Sequence, residues 1–123
     1  MRIHESAENY LETILMLRQR NGSVRSIDIA NELDFSKPSV SVAMKNLRTN
    51  GYIEVDKSGD IRLLPAGLEI AQQVLEKHTM LTNYLIALGV SPETASEDAC
   101  RMEHVISKES FDAIKAHATK YMK

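Results

Sequence analysis

One cysteine in 123 residues excludes an internal disulfide and fits a reducing compartment. No apolar run approaches the roughly 18 residues that a membrane span needs. The opening stretch MRIHESAENY lacks the apolar middle of a signal peptide, so a cytoplasmic location is expected. Internal repeats, low-complexity tracts and flexible linkers are also missing. The net charge is only −2, so overall charge does not announce a polyanion-binding protein.

What is present is enough apolar material for a core, 43%, beside 26% charged residues. That suits one small domain, or a compact module with a second helical lobe. The charge is unevenly placed. Six basic residues (Arg18, Arg20, Arg25, Lys37, Lys45, Arg48) face three acidic ones between Arg18 and Arg48, whereas six basic face eight acidic from Ala66 onward. The early part could sit on phosphates and the late part away from them, although a three-charge excess is also common on a solvated face.

Apolar positions Ala7, Tyr10, Leu11, Ile14 and Leu17 recur every three or four residues, which predicts an amphipathic helix ended by Asn21-Gly22. Ser26 is the expected cap of a short helix with Ile27, Ala30 and Leu33 on its inner face. Ser36 caps the next helix, with Pro38 harmless in its first turn and Val40, Ala43, Met44 and Leu47 turned inward until Gly51. YIEVDK and DIRLL, joined at Ser58-Gly59, read as a β-hairpin. A long helix follows from Pro65 to about Leu88, with Leu68, Ala71, Leu75, Leu81, Leu85 and Leu88 along it. Ser91-Pro92-Glu93 starts another helix, which carries Cys100 and His104, and Ser107 starts the last.

Helix, short helix, turn, helix and β-wing make a winged helix-turn-helix. The expected fold class is therefore mainly α. A winged helix-turn-helix DNA-binding domain is expected over residues 1–64 and an all-helical dimerisation domain over residues 65–123. The apolar faces of the 66–88 and 107–121 segments suggest a homodimer.

The second helix of a helix-turn-helix enters the major groove with its N-terminal residues against base edges. Here those residues are Ser36, Lys37, Pro38, Ser39, Ser41 and Val42. Serines exchange hydrogen bonds with bases or phosphates, Lys37 pairs with phosphate, and Pro38 and Val42 offer apolar contact to thymine methyls. Lys45 and Arg48 lie further along for the backbone, and Arg25 and Ser26 are candidate phosphate anchors. Lys57 is the clear phosphate candidate of the wing. Capping and solvation alone would account for the same small polar residues.

In EDACRMEHVIS, Cys100, Glu103 and His104 fall at i, i+3 and i+4 and share one helical face. Thiolate, carboxylate and imidazole together suit Fe²⁺, Co²⁺, Ni²⁺ or Zn²⁺ and serve Mg²⁺ or Ca²⁺ poorly. One helix does not usually complete a shell. Further donors are available at His78 and, on the first helix, at Glu5, Glu8, Asn9 and Glu12. The bland alternative is a buried thiol beside a solvated pair, with His78 a lone surface histidine. His4 and His117 read as surface residues. No oxyanion hole or substrate pocket marks Cys100 as a nucleophile, so neither an enzyme nor an organic substrate is expected.

Taken together, SAENYLETI, SKPSVSVAMKNL, RLLPAGLEIA and EDACRMEHVIS resemble the diphtheria-toxin-repressor family of metal-dependent repressors over nearly the whole chain, roughly residues 5–121. The resemblance implies a homodimer that binds a palindromic double-stranded DNA operator, with a divalent metal as co-repressor controlling metal-homeostasis genes. It assigns the ligands to Glu12, His78, Cys100, Glu103 and His104, with Asn9 a weaker one where family members carry aspartate or methionine. Glu12 matches the manganese branch and Cys100 the iron branch, so Fe²⁺ is the first expectation and Mn²⁺ the second. Thr82 and Ser96 stand where iron-type members place further ligands. The SH3-like domain of the longer members is not expected here. The competing expectation is a winged-helix regulator that senses an organic ligand or an oxidant through Cys100.

Overall fold

The computed structural model describes residues 5–121; His4 lies outside them, as does the Glu5 side chain. The chain is mainly α and forms two compact units, Met1–Gln72 and Gln73–Lys123.

In the first unit, α1 (Glu5–Asn21) buries Tyr10, Leu11, Ile14 and Leu17, as their spacing requires, and also buries Glu12 and Thr13. Two expectations for α2 (Ser26–Leu33) are corrected. Ser26 is its first helical residue rather than its cap; Arg25 holds the cap position, and its N–H donates to Asp28 Oδ2 at 2.9 Å. The inner face is Ile29 with Ala30, whereas Ile27 is 40% exposed. Eight residues with three apolar ones in a row of four allow either face, and packing against α1 and α3 decides. Asp34 closes α2 in the left-handed region at φ 56°.

The next helix, α3 (Lys37–Thr49), has Ser36 as cap, its Oγ accepting the Ser39 N–H at 3.3 Å. Val40, Met44 and Leu47 are buried on one face. Past Asn50, Gly51 takes φ 81°, a conformation that a side chain makes costly, and the chain turns into the hairpin. β1 (Ile53–Val55) and β2 (Ile61–Leu63) pair antiparallel, Ile53 with Leu63, Glu54 with Arg62 and Val55 with Ile61. Ile53 and Ile61 are buried, so Glu54 and Arg62 face outward.

The turn between the strands is closed by carboxylates. Asp56 Oδ1 accepts the Ser58 N–H at 2.8 Å, the Ser58 hydroxyl at 2.7 Å and the Asp60 N–H at 3.0 Å. Asp60 Oδ1 accepts the Val24 N–H at 3.0 Å and Arg18 Nη1 at 3.1 Å. These donors hold both aspartates below the ordinary aspartate range, led by the Ser58 hydroxyl for Asp56 and the Val24 amide for Asp60. A carboxylate with a lowered folded pKa stabilises the fold above its unfolded value, and that stabilisation fades as pH falls through the folded value. Wild type is therefore expected to lose stability below about pH 4 more steeply than Asp60→Asn. Denaturant midpoints between neutral pH and about pH 3 check this; parallel curves for the two proteins count against it.

α4 (Pro65–Ala87) begins against the hairpin, and the boundary between the units falls within it. The Tyr52 carbonyl accepts the Leu64 N–H at 2.9 Å. That same oxygen lies only 2.1 Å from where a Cβ on Gly67 would sit. Gly67 is thus required by contact, even though its own φ is ordinary for a helix.

In the second unit, α5 (Pro92–Val105) starts at Ser91, whose Oγ accepts the Thr94 N–H at 3.4 Å, with Pro92 at its first position. α6 (Lys108–Tyr121) starts at Ser107, whose Oγ accepts the Ser110 N–H at 3.0 Å. Leu81, Ala99 and Phe111, one from each helix, form the core with Met80, Met102, Ile106 and Ile114 around them. On the surface, Lys115 pairs with Glu76 and Tyr84 Oη meets His117 Nδ1 at 3.0 Å, tying α6 to α4. The sequence placed His117 on the surface, and it is exposed, but it has this structural partner. Leu88, expected along α4, lies just past its end and is 65% exposed. Among the described residues no helix is long and apolar enough to cross a membrane.

Candidate metal centre and nucleic-acid interface

The metal candidate is built on α5. Ala95 and Ala99 are fully buried on the side that packs inward, and Glu103 continues that side one turn later at 1% exposure. A carboxylate in such a place costs several kcal/mol unless positive charge or good donors compensate it. Neither Glu103 oxygen takes a hydrogen bond among the described residues. What faces them is imidazole: His78 Nδ1 on α4 at 3.0 Å from Oε2, and His104 Nε2 at 3.3 Å from Oε1. The contacts are close, yet they lack the alignment of hydrogen bonds. The His104 side chain is 3% exposed and that of His78 is 25% exposed.

Cys100 lies one turn before on the same helix, and its residue is exposed. The cysteine sulfur, a Glu103 oxygen and a His104 nitrogen all fall within 4.8 Å of one another. Donors that bond a single ion at about 2.0–2.3 Å lie within such a span. The donors are chemically right for a divalent transition metal. The buried carboxylate whose oxygens take no hydrogen bond is the feature such a cation would satisfy. The set fits the implied metal. The buried filler thiol is corrected, because Cys100 is exposed, and the solvated Glu–His pair is corrected, because both side chains are buried.

On the first unit, Glu12 lies on the buried side of α1 at 5% exposure. Asn9, three residues earlier, is half-buried, and its carbonyl accepts the Thr13 hydroxyl at 2.8 Å.

The nucleic-acid candidates gather at the start of α3. Lys37, Pro38, Ser39, Ser41, Val42, Lys45 and Arg48 are all exposed, Val42 to 61%. Ser36 is exposed too, but its hydroxyl is engaged with Ser39, donating to Ser39 Oγ at 2.7 Å. Those two serines therefore shape the helix start and have less freedom toward a base. Ser26, Ile27, Lys37 and Ser41 line an open hollow of about 260 Å³ where α2 meets α3. Arg25 and Lys57 are exposed. Sequence reasoning missed Ile27 as a lining residue, and it missed Arg18 and Asp60 as the pair beneath the wing. Only the charge run around Arg18 could have signalled the latter.

Two family models match consecutive parts of the chain: the iron-dependent repressor N-terminal DNA-binding domain over residues 2–61, and the iron-dependent repressor metal-binding and dimerisation domain over residues 64–121. The chain belongs to the diphtheria-toxin-repressor family. Members of this family are metal-dependent transcriptional regulators, not enzymes. The transcriptional regulator MntR of Escherichia coli O157:H7 is 38% identical over 117 residues, covering 95% of this chain and 76% of that protein. An HTH-type transcriptional regulator of Methanocaldococcus jannaschii is 32% identical over 119 residues, covering 95% of each chain. Among solved structures, T. acidophilum IdeR matches with a TM-score of 0.80 at 26% identity, covering 97% of this chain and 55% of that one. The chain thus spans a little over half the length of that structure. The manganese regulator SloR shares the fold with a TM-score of 0.81 at 24% identity, covering 97% of this chain and 55% of that one.

Proposed function

We infer that this family member is a homodimeric repressor whose operator binding depends on a divalent transition metal held by His78, Cys100, Glu103 and His104. Glu12, and more weakly Asn9, are the further candidate donors on α1. The observation that carries the reading is Glu103, a fully buried carboxylate faced by two imidazoles with a thiol one turn away. A bound cation supplies positive charge at this buried carboxylate, and its tighter binding to the DNA-competent arrangement shifts the population toward that arrangement.

The chain's own residues do the rest. His78, Glu103 and His104 hold their donor atoms together on two packed helices. Ser36 and Pro38 fix the start of α3. Lys37, Ser39, Ser41 and Val42 face a major groove, and Lys45, Arg48, Arg25, Ser26 and Lys57 face phosphates. A palindromic operator suits a two-fold dimer, whose two α3 helices need a spacing near one DNA turn, about 34 Å, or a multiple. Control of metal-homeostasis genes follows from a repressor that binds DNA when metal is plentiful.

Fe²⁺ is the favoured ion, because thiolate is a softer donor than Mn²⁺ prefers. Mn²⁺ is the alternative, supported by relatives that are named as manganese regulators. Co²⁺, Ni²⁺ and Zn²⁺ suit the same donors in vitro. Fluorescence anisotropy of labelled DNA across these ions tests both points. Cys100→Ala is expected to weaken the Fe²⁺, Co²⁺ and Zn²⁺ responses by roughly 100-fold, the upper range for loss of even an outer partner, and the Mn²⁺ response by much less. An equal loss with every ion overturns the iron preference. DNA binding that ignores metal in both wild type and Glu103→Ala overturns the co-repressor reading. In that case a sensor of oxidant or organic ligand acting through exposed Cys100 takes its place.

A further inference from the structure

The wing is small. Two strands of three residues make a hairpin that is marginal by itself, so something outside it must hold it still. One carboxylate gathers the contacts that do so. Asp60 Oδ1 accepts the Val24 N–H from the loop after α1 and Arg18 Nη1 from the last turn of α1. The same guanidinium nitrogen donates to the Ile61 carbonyl at 2.9 Å, and the Ile61 N–H donates to the Val24 carbonyl at 2.7 Å. Helix end, loop and strand therefore meet at Asp60, whose side chain is only 15% exposed. Its second oxygen accepts a hydrogen bond from Arg62 Nε at 3.4 Å, so the same carboxylate also orients that guanidinium.

This arrangement sorts the wing's charges. One oxygen of Asp56 is taken up by donors of its own turn and one oxygen of Asp60 by the Val24 amide and Arg18, whereas Lys57 at the turn is exposed and the Arg62 side chain is 57% exposed. Two fixed acids would oppose a polyanion, but acids engaged by amides and a guanidinium oppose it less. Lys57 and Arg62 stay exposed at the surface, beside the exposed Glu54 and Asp56. We propose that Asp60 is a positioning residue for operator binding, locking the wing to α1 so that Lys57 and Arg62 meet DNA phosphates from a fixed place. This rests on the repressor reading above and deepens it, adding Arg62 to the phosphate contacts.

The test uses the full chain saturated with its activating ion and a duplex selected by wild type from a randomised pool. Affinity is read by anisotropy over a salt series, since each phosphate contact adds about one unit to the log–log slope. Asp60→Asn is expected to lower affinity about tenfold and the slope by one to two units, in the range of lost phosphate contacts. Lys57→Ala is expected to cost affinity in wild type and almost none on the Asp60→Asn background. Metal binding, followed by protection of the Cys100 thiol, is expected to be unchanged.

An unaltered slope for Asp60→Asn, or an equal Lys57→Ala cost on both backgrounds, overturns the proposal. Should Asp60→Asn not fold, Arg18→Gln decides, because it keeps the Val24–Asp60 bond: a reduced slope supports the proposal and a wild-type slope overturns it. A wild type that binds no duplex with any ion sinks the repressor reading and this proposal together. A wild type that binds while the variants keep its slope sinks the proposal alone.

Discussion

Glu103→Gln is expected to stabilise the metal-free protein while abolishing its response to metal. The wild-type carboxylate is fully buried, and neither oxygen takes a hydrogen bond among the described residues. Burying such a group costs about 1–3 kcal/mol, and more for a charge. A neutral amide of the same shape avoids the charge penalty, and it can both donate to and accept from the neighbouring imidazoles. The metal-free melting temperature should rise by roughly 5 °C, the size expected for about 1 kcal/mol in a chain of this length. Wild type with an activating ion at a hundred times its dissociation constant gains about 2.7 kcal/mol, and that gain should vanish in the variant. Melting curves with and without ion, beside anisotropy on DNA, separate the two effects. A variant that loses stability without metal would contradict the claim that this carboxylate is held in place for a cation.

Gly67→Ala is expected to cost about 3 kcal/mol, at or beyond the upper end for an overpacked site. Alanine ordinarily favours a helix over glycine by about 1 kcal/mol, so the expected sign is opposite to propensity. The reason is the Tyr52 carbonyl, 2.1 Å from the new Cβ. That oxygen is backbone and already accepts the Leu64 N–H, so it cannot swing aside as a flexible side chain would. Relief requires moving the start of α4 or the entry to β1, and both lie within the first unit. A fall in melting temperature of about 10 °C is expected. A melt within a couple of degrees of wild type would mean that α4 shifts without cost.

These two sites mark where the sequence could be read and where it could not. The helix starts were legible because their chemistry is local. Ser36 with Pro38 and Ser91 with Pro92 carry cap and first-turn proline within three residues, and both helices begin there. The hairpin was legible from its β-branched runs and Gly59. Local pattern gave the shared face of Cys100, Glu103 and His104, but the depth of Glu103 depends on α4 packing over α5, which no spacing within α5 encodes. Ile27 and Ile29 competed for one short face, and contacts from outside the helix settled the matter. Gly67 looked like an ordinary helical residue because its constraint comes from Tyr52, fifteen positions away. Arg18 and Asp60 stand 42 residues apart, so only the fold brings that pair to light.

One feature of the second unit bears on how such a regulator counts. Ile86, Leu88, Val105 and Tyr121 remain exposed in the single chain, between 40% and 72%. Pairing through this lobe, which carries the family's dimerisation domain, makes the DNA-binding species a product of two protomers. Below the dimer dissociation constant, halving the protomer concentration quarters the amount of pair. The protein then reads its own copy number alongside the ion, and a modest change in expression shifts operator occupancy more than in proportion.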